Sequence, residues 1–523
     1  MPDGDQANQE CQGNNMTTYE LLAALLLMAV LDGVCPSKAK PAFLLLVSAA
    51  LYAQASGVGL IVILLTVLVN WAAAICLEKI RRKEKTEHSR GTAGKAAGQR
   101  TARQRRIIFW LAMLVDFGLL ALLKYLPDLP AGLLTALGRP SGFRLILPLG
   151  ISFYTFQTTG YLFDVAGGRI AAERNPLRLA LFAGYYPQLI QGPISRYADL
   201  AQQLGAPRRA GLEVIRRGLI RVLWGLFKKK VVADRAVLLV KTVFAPKAEY
   251  GGAIAVLGVL FYSLQQYADF SGGIDMVLGA SEMMGIRLPE NFRQPYFAVS
   301  LADFWRRWHI TLGGWMRDYV FYPFALTKPV QKLSKALRKA GRKSLAGTLP
   351  AALGNLLVFL LVGIWHGSSS NYIAWGLYNG LILAVSALAA PFFAKKPMTG
   401  RRKALCVLRT FLIVNIGWFF DRSESVGQAF AMLGRVLFDP AFSQLTDGTL
   451  GSLGLAWGDA VILAISAAVL LTVSVLRERG ADVRGKLLEM PLVPRWALLY
   501  ALFLSVMLFA VVGKDSGFMY AMY

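Results

Sequence analysis

Two tryptophan–histidine pairs contain two of the three histidines in this 523-residue chain. Trp308-His309 lies in the stretch LADFWRRWHITL, and Trp365-His366 ends the apolar run LLVGIWH. The third histidine, His88, lies in a polar and highly charged segment. A neutral imidazole in an apolar setting can take a proton from a hydroxyl, because its ordinary pKa is near neutrality. The two pairs therefore predict acid–base chemistry; the alternative is two structural histidines bonded to backbone carbonyl groups.

Charged and aromatic side chains surround the first pair. Asp303 and Arg307 are four residues apart, so on a helix they share a face and can form an ion pair. Tryptophan rings with one N–H donor suit a membrane–water boundary, and guanidinium groups match the geometry of phosphate. The segment predicts a Trp-lined, positively charged entrance for a phosphate-bearing ligand, with lipid-headgroup anchoring as the alternative. The candidate substrate contacts are Arg306, Arg307, Trp308, Trp365 and Asp303.

Metal and disulfide chemistry have little support in the sequence. Its four cysteines show no Cys-x-x-Cys spacing, which predicts structural thiols rather than a zinc site or a disulfide framework. Two histidines without nearby metal-ligand residues also predict that no metal is bound. No cysteine lies beside either histidine in the sequence, which disfavours a covalent intermediate on Cys76 or Cys406.

Composition indicates the membrane as the environment of the chain. The sequence is 55% hydrophobic and 17% charged, with a mean hydropathy of +0.47, whereas soluble domains carry about 25% charged residues. Repeated apolar runs of membrane-spanning length predict an all-α polytopic membrane protein. The net charge of +26 is concentrated in short segments between these runs, where it indicates cytoplasmic loops and not a nucleic-acid-binding surface.

The distribution of basic residues predicts the topology. Residues 79–106, 328–343 and 394–403 are read as cytoplasmic basic loops under the positive-inside rule. Three crossings precede the first of them, so the acidic N-terminus is expected on the extracytoplasmic side. The predicted organisation is a disordered N-terminus at 1–17, a membrane core at 18–440, C-terminal transmembrane helices at 441–512 and a tail at 513–523.

Several segments between the clear crossings are interrupted or polar. Leu177–Leu204 is apolar but broken by two prolines and spotted with glutamines, a pattern tolerated at membrane depth only inside protein or beside a wet cavity. Residues 208–235 are read as an interfacial amphipathic helix that leads into a partial crossing. Asp269 and Asp275, in an otherwise apolar stretch, are candidate intramembrane ionisable groups.

Longer motifs resemble a known family. DFWRRWH at Asp303–His309, followed by WHG at Trp365–Gly367, resembles the membrane-bound O-acyltransferase (MBOAT) family. GISFYTFQTTGYLFDV, AERNPLRLALFAGYYPQLIQGPISRY, LFKKKVVADR, DFSGGIDM and GIRLPENFRQPY resemble its bacterial alginate O-acetyltransferase branch. The resemblance covers most of residues 40–440. It implies an MBOAT-like core of about a dozen transmembrane or re-entrant helices around a central funnel.

The resemblance also implies an activity. His366 matches the catalytic histidine of the family and His309 its second functional histidine. Bacterial members bind no cofactor and use a cytoplasmic acyl thioester, either acyl-CoA or an acyl carrier, as co-substrate. The acyl group, acetyl by default, passes through the cell (inner) membrane for O-acetylation of an extracytoplasmic polysaccharide. Implied partners are membrane lipid, an extracytoplasmic esterase-like O-acetyltransferase, a cytoplasmic acyl donor protein and the pathway that makes the acceptor polymer.

The C-terminal residues resemble a further element of this branch. Phe518-Met-Tyr520-Ala-Met-Tyr523 is similar to a Phe-x-Tyr-x-x-Phe element, with Tyr523 where the second phenylalanine is usual. The resemblance makes Tyr520 a candidate acyl acceptor. A chance match at the chain terminus is the alternative.

Two other functions fit parts of the sequence. A transporter or flippase would explain many crossings, broken helices and the candidate intramembrane residues Asp164, Asp269 and Asp275. A non-catalytic subunit of a polysaccharide export complex is the third reading. In the acyltransferase reading, His366 takes the proton of the acceptor hydroxyl as it attacks the thioester, and His309 orients the acceptor or donates to the oxyanion.

Overall fold

A computed structural model describes residues 17–89, 95–125, 147–392 and 398–511 of the chain. These residues are almost entirely helical, and the β-structure among them is an isolated bridge between Phe292 and Trp308. The predicted all-α fold is confirmed. The chain forms two compact units, one containing residues up to Gly218 together with Val277–Leu288, and the other containing Leu219–Met276 and the residues from Pro289 onward.

The first unit is built from eight named helices. Its first helix begins where Thr17 accepts a hydrogen bond from the Glu20 amide and the Glu20 carboxylate accepts one from the Thr17 amide, a capping box that stabilises the helix start. Leu44, Leu162 and Phe182 are fully buried in the core of the unit. The helices are α1 (Thr18–Val34), α2 (Lys40–Ser56), α3 (Gly59–Ser89), α4 (Lys95–Tyr125), α5 (Ile151–Gly167), α6 (Pro176–Gly184), α7 (Tyr186–Gln191) and α8 (Tyr197–Gly205).

The predicted break within Leu177–Leu204 is confirmed. The segment forms α6, the six-residue α7 and α8, and Pro187 lies in the first turn of α7, where its missing N–H is tolerated. Every residue of α7 is buried. The side-chain amide of Gln191 has no hydrogen-bond partner within the described part of the chain. This arrangement matches the expectation that broken, polar helices at membrane depth lie inside the protein.

The second unit contains the remaining helices. A long helical segment comprises α9 (Leu212–Leu226), which enters this unit at Leu219, the π-helix Phe227–Ala233 and α10 (Asp234–Val243). The helices that follow are α11 (Gly252–Met283), α12 (Leu301–Arg307), α13 (Ile310–Met316), the π-helix Arg317–Phe321, α14 (Tyr322–Ala325), α15 (Lys328–Lys339), α16 (Lys343–His366), α17 (Ser370–Ala389), α18 (Gly400–Arg422), α19 (Val426–Phe438), α20 (Trp457–Glu478), α21 (Val483–Glu489) and α22 (Leu492–Phe509).

The structure corrects the reading of residues 208–235 as an interfacial helix. Lys228, Lys229 and Lys230 are fully buried on the π-helix. Carboxylates from the same unit neutralise them: Lys228 pairs with Asp275 at 2.6 Å, Lys229 with Asp269, and Lys230 with Asp234 at 2.7 Å. A buried charge is tolerated when it is paired and hydrogen-bonded, so the lysines can leave the membrane interface.

Seven helices in the described residues are long and apolar enough to cross a membrane. They make the chain a multi-pass membrane protein, while the predicted core of about a dozen transmembrane or re-entrant helices stays a prediction. The candidate spans are Gly59–Glu87, Gly98–Tyr125, Lys343–His366, Ser370–Phe392, Gly400–Arg422, Trp457–Glu478 and Leu492–Phe509.

The segments predicted as basic loops are largely helical. Residues 79–106 contain the end of α3 and the start of α4, so His88 has a helical backbone, and Arg105 of α4 pairs with Glu84 of α3 at 2.7 Å. Within residues 328–343, Lys328–Lys339 forms α15 with its basic side chains exposed, and Lys343 begins α16. The segment at 394–403 enters α18 at Gly400. A helix can present basic side chains to solvent on its exposed face, so these segments can be highly charged and still be helical. The side of the membrane that they face stays a prediction.

Candidate active site

The first Trp-His pair stands at a break between two short helices of the second unit. α12 ends at Arg307, Trp308 is extended, and His309 adopts a left-handed conformation with φ 46° and ψ 52° before α13 begins. A residue with a side chain rarely adopts this backbone, at a cost of about 1–3 kcal/mol. Because α12 ends at Arg307, helical spacing does not relate Arg306 to His309.

An extended segment holds the break in place. Phe292 forms the β-bridge with Trp308, and the amide of Arg293 donates to the carbonyl of Arg307 at 2.9 Å. The amide of Ile310 donates to the carbonyl of Asn291 at 3.0 Å. These backbone bonds fix the direction of both side chains of the pair.

His309 is buried between aromatic rings. Its centroid lies 4.9 Å from the edge-on ring of Phe270 on α11 and 6.4 Å from the indole of Trp365 on α16. Its Nδ1 atom lies 3.3 Å from the side-chain oxygen of Asn291. Burial lowers the pKa of His309 to about 3, so the ring is neutral at physiological pH.

His366 is the last residue of α16, at the close contact between α16 and α17. A Cβ added to Gly363 would lie 2.6 Å from the carbonyl oxygen of Tyr372, so only glycine permits this approach. The imidazole of His366 is buried, with ring centroids 5.0 Å from Trp375 and 5.9 Å from the stacked ring of Tyr372. The fold thus holds the ring at the end of a membrane-spanning helix.

Trp365 contacts both histidines. Its indole centroid lies 5.0 Å from His366 and 6.4 Å from His309. The structure therefore brings the two pairs together around one buried indole, with one imidazole from the break between α12 and α13 and the other from the end of α16.

Trp308 lies in a buried aromatic cluster and not at a membrane–water boundary. It is stacked on Phe304 at 5.5 Å and packs against Phe292 at 5.0 Å and Trp418 at 5.6 Å. The Trp-lined entrance stays a prediction, but the ring of Trp308 is buried and is not exposed to solvent. The physical reason is the β-bridge, which directs the side chain of Trp308 into the protein.

The charged candidates divide into one paired and one exposed guanidinium. The predicted Asp303–Arg307 ion pair is present at 3.2 Å, and Arg307 also binds Glu478 at 2.7 Å. The side chain of Arg306 is 71% exposed and reaches Asp303 at only 3.5 Å. Arg306 is thus the guanidinium that can receive an external ligand, whereas Arg307 already has two carboxylate partners.

A partly buried charge network, not predicted from the sequence, lies beside the extended segment that contacts His309. Both terminal nitrogens of Arg221 donate to Glu290, at 2.8 and 2.6 Å, and its Nε donates to Asp275 at 2.7 Å. Lys228 donates to Asp275 at 2.6 Å and to Ser271, which follows Phe270, at 2.8 Å. Bidentate guanidinium–carboxylate bonds are strong and directional, so the network anchors the residue before Asn291. Lys228 lies in the motif LFKKKVVADR and Glu290 lies in the motif GIRLPENFRQPY, so these motifs contain part of the network.

Two further predictions about the site concern the C-terminal tail and the binding of a metal ion. Tyr520 and the rest of the C-terminal tail lie outside the described residues. Within the described ranges, no group of three His, Cys, Asp or Glu side chains is placed to hold a metal ion. The chemistry that the site can perform rests on two buried imidazoles, neighbouring N–H donors and an apolar surrounding, which suit proton transfer to and from an uncharged substrate.

Comparison with known proteins identifies the family. The sequence model of the membrane-bound O-acyltransferase family matches residues 172–420, which include both Trp-His pairs. The chain is 36% identical over 369 residues to the probable alginate O-acetylase AlgI of Pseudomonas syringae pv. tomato, covering 69% of this chain and 66% of that relative. It is 34% identical over 371 residues to the protein of the same description from Azotobacter vinelandii, covering 69% of each chain.

A relative with a different named activity is also similar. The peptidoglycan O-acetyltransferase of Helicobacter pylori is 33% identical over 316 residues, which are 55% of this chain and 56% of that relative. The matched part of the chain thus spans just under two thirds of the Pseudomonas syringae relative and about half of the Helicobacter pylori one. The family match, the similarity across more than two thirds of the Azotobacter relative and the helical membrane fold agree. The chain therefore belongs to the membrane-bound O-acyltransferase family.

Proposed function

We propose that this chain is an O-acyltransferase that moves an acyl group, acetyl by preference, from a cytoplasmic thioester to a hydroxyl of an extracytoplasmic polysaccharide. The observation that carries the proposal is the convergence of His309 and His366 on Trp365 within a buried aromatic site. The named activities of the similar proteins from Pseudomonas, Azotobacter and Helicobacter support the reaction class.

The proposed reaction needs only a base, correct positioning and stabilisation of the oxyanion. His366 takes the proton of the acceptor hydroxyl while the oxygen forms its bond to the thioester carbon. The carbon–sulfur bond then breaks, and the leaving thiolate recovers the proton from the imidazolium. His309 positions the acceptor. A thiolate is a good leaving group, so the buried site supplies geometry and a water-poor surrounding rather than a metal.

The direction of transfer follows from the proposed topology. With the basic residues of 79–106 and 328–343 facing the cytoplasm of a cell (inner) membrane, the N-terminus is extracytoplasmic and the thioester arrives beside α12. The exposed guanidinium of Arg306 is the proposed contact for a phosphate of acyl-CoA or of an acyl carrier protein. An extracytoplasmic esterase-like partner would complete delivery to the polymer.

The ion pairs of the candidate intramembrane carboxylates weaken the transporter alternative. Asp269 and Asp275, which a transporter would have explained, contact Lys229 and Lys228 respectively. Asp164, the third such residue, contacts Arg169 at 2.9 Å. Carboxylates that are already neutralised by fixed lysines make a poor site for a transported cation.

Reconstituted vesicles distinguish the proposals. Purified chain is oriented in liposomes with a labelled acetyl thioester on one side and a hydroxyl acceptor on the other. An acyltransferase gives labelled acceptor and free thiol in equal amounts, and it also hydrolyses the thioester slowly when acceptor is omitted. Movement of unmodified saccharide without thiol release would establish the flippase, and neither event would leave the export-subunit reading.

The role of Tyr520 is a separate part of the proposal. If its hydroxyl receives the acyl group before the final acceptor, mass spectrometry after incubation with labelled thioester finds one acyl adduct on the C-terminal peptide. Replacement of Tyr520 by Phe removes the hydroxyl alone and abolishes that adduct. An unmodified peptide alongside normal acceptor labelling would contradict the relay.

A further inference from the structure

We infer that Asn291 is a positioning residue for His309, and that its side-chain oxygen holds the imidazole with the proton on Nδ1 and the lone pair on Nε2. The inference deepens the proposed function because it assigns His309 the role of accepting a proton or hydroxyl hydrogen bond. The alternative role, donation to the oxyanion, needs a proton on Nε2.

The orientation of the Asn291 amide is set by its other contacts. The backbone amide of Thr311 donates to Oδ1 at 3.0 Å, and the Thr311 hydroxyl donates to the same atom at 2.9 Å. A backbone N–H can only donate, so the atom that receives it is the oxygen and not the nitrogen of the amide. The flip state of Asn291 is therefore defined by geometry.

The protonation of His309 follows from that orientation. Nδ1 lies 3.3 Å from the Asn291 oxygen, which has no proton to give, so Nδ1 must be the donor. A neutral imidazole carries one proton, and burial favours the neutral ring. With the proton on Nδ1, the lone pair is on Nε2.

Within the described residues, the aromatic rings packed on His309 from two other helices carry no charge. The rings that face His309 from α11 and α16 are Phe270 and Trp365, which are uncharged. The carboxylate adjacent in sequence, Glu290, is bound by Arg221. The backbone amide of Arg293 donates to the backbone carbonyl of Arg307, the last residue of α12.

A contribution to stability alone does not explain why an asparagine occupies position 291. The residue is fully buried, yet its Nδ2 group has no hydrogen-bond partner in the described part of the chain. An unsatisfied buried donor is unfavourable in a purely structural residue, since a smaller side chain would avoid it. The same amide oxygen receives Thr311 and faces His309, so the residue couples the start of α13 to the imidazole.

Nitrogen NMR of the imidazole tests the tautomer without relying on activity. The full-length chain is labelled with ¹⁵N-histidine in detergent, with His88 and His366 each replaced by Gln so that only His309 reports. The inference predicts a protonated Nδ1 and a bare Nε2 at neutral pH. A protonated Nε2 would overturn it, whatever the outcome of the acyl-transfer assays.

Two substitutions then test the dependence on Asn291. Asn291→Ala is expected to remove the preference for the Nδ1 proton and, in the chain with His366 intact, to lower kcat about 10²-fold or more with little change in donor KM. Asn291→Asp keeps the acceptor but adds a negative charge, so protonated His309 is stabilised and the pH at which the ¹⁵N signals of His309 titrate moves up by about 1–3 pH units.

Asn415 provides a matched control. It is a buried asparagine of the same unit whose Nδ2 donates to the Phe411 carbonyl and whose oxygen accepts from Ser263. Asn415→Ala is expected to leave the His309 signal on Nδ1. An unchanged tautomer in Asn291→Ala, or a His309 titration in Asn291→Asp identical to that of the parent, would show that Asn291 does not position the ring. If the parent chain transfers no acyl group while NMR finds the Nδ1 proton, the proposed function fails and the assignment of the tautomer stands.

Discussion

The indole of Trp365 and the imidazole of His309 lie with ring centroids 6.4 Å apart, although Trp365 belongs to α16 and His309 lies at the break between α12 and α13. Because Trp365 also contacts its sequence neighbour His366 at 5.0 Å, one side chain sets the separation of the two candidate catalytic rings. The chemistry proposed for the chain depends on this spacing.

Removal of the Trp365 indole should therefore lower the activity of each folded molecule, in addition to any effect on stability. Trp365→Ala is expected to reduce acyl transfer per folded molecule by at least about 10²-fold and to destabilise the protein by about 3–5 kcal/mol. Transfer rates are measured on monodisperse protein in detergent. Trp496, which is 46% exposed on α22, provides the control. Equal activity of Trp365→Ala and Trp496→Ala would contradict the proposed role of the indole.

The contact between α16 and α17 predicts an asymmetric response to added methyl groups. Gly363→Ala places a Cβ against the Tyr372 carbonyl, which should destabilise the protein by about 1–3 kcal/mol and displace His366. Gly347→Ala, on the same helix with open space around it, should be neutral or stabilising by up to about 1 kcal/mol. Thermal unfolding in detergent compares the two. Similar unfolding temperatures would show that the two helices do not approach as closely as described.

The buried lysines predict a large effect on stability from a substitution outside the two Trp-His pairs. Lys229→Met leaves Asp234 and Asp269 without their shared cation and should destabilise the fold by about 3–5 kcal/mol. Lys335→Met, on the exposed face of α15, should change stability by less than about 0.5 kcal/mol. Expression and unfolding temperature are measured for both variants. Partial recovery in the double variant Lys229→Met with Asp269→Asn would confirm the pairing, and a fully stable Lys229→Met would refute it.

The buried state of His309 predicts a pH dependence of stability. The unfolded ring binds a proton below about pH 6.5, whereas the folded ring stays neutral until about pH 3. The contribution of the neutral ring is therefore complete above pH 6.5 and decreases as the pH falls, by about 2 kcal/mol at pH 5. Unfolding of the parent chain and of His309→Gln is compared between pH 7.5 and 5. Parallel pH dependences in the two proteins would show that His309 is not buried as a neutral ring.

Much of the helical framework is predictable from local patterns. The first helix spans Thr18–Val34 as the apolar run indicates, and the break near Pro187 follows from the missing N–H of proline. The pairing of Asp303 with Arg307 follows from four-residue spacing. These features depend on residues close together in the chain, so the local sequence is enough to predict them.

The features that could not be predicted depend on contacts between distant residues. Three consecutive lysines indicate an exposed segment until Asp269 and Asp275 are known to lie beside them. Trp308 is directed inward by a bridge to Phe292, and no periodic pattern encodes the left-handed backbone of His309. Asn291 was missed for the same reason, because its contact with His309 exists only once the two extended segments pair.

The most direct test of the central claim is thioester-dependent acylation of an acceptor hydroxyl by purified chain carrying His366→Ala. His88→Ala, a change of the third histidine, is the matched control. The account predicts that His366→Ala loses at least about 10²-fold in kcat while it remains folded and still binds the thioester, and that His88→Ala retains parental turnover. Parental turnover in folded His366→Ala would contradict the assignment of the base and, with it, the proposed active site.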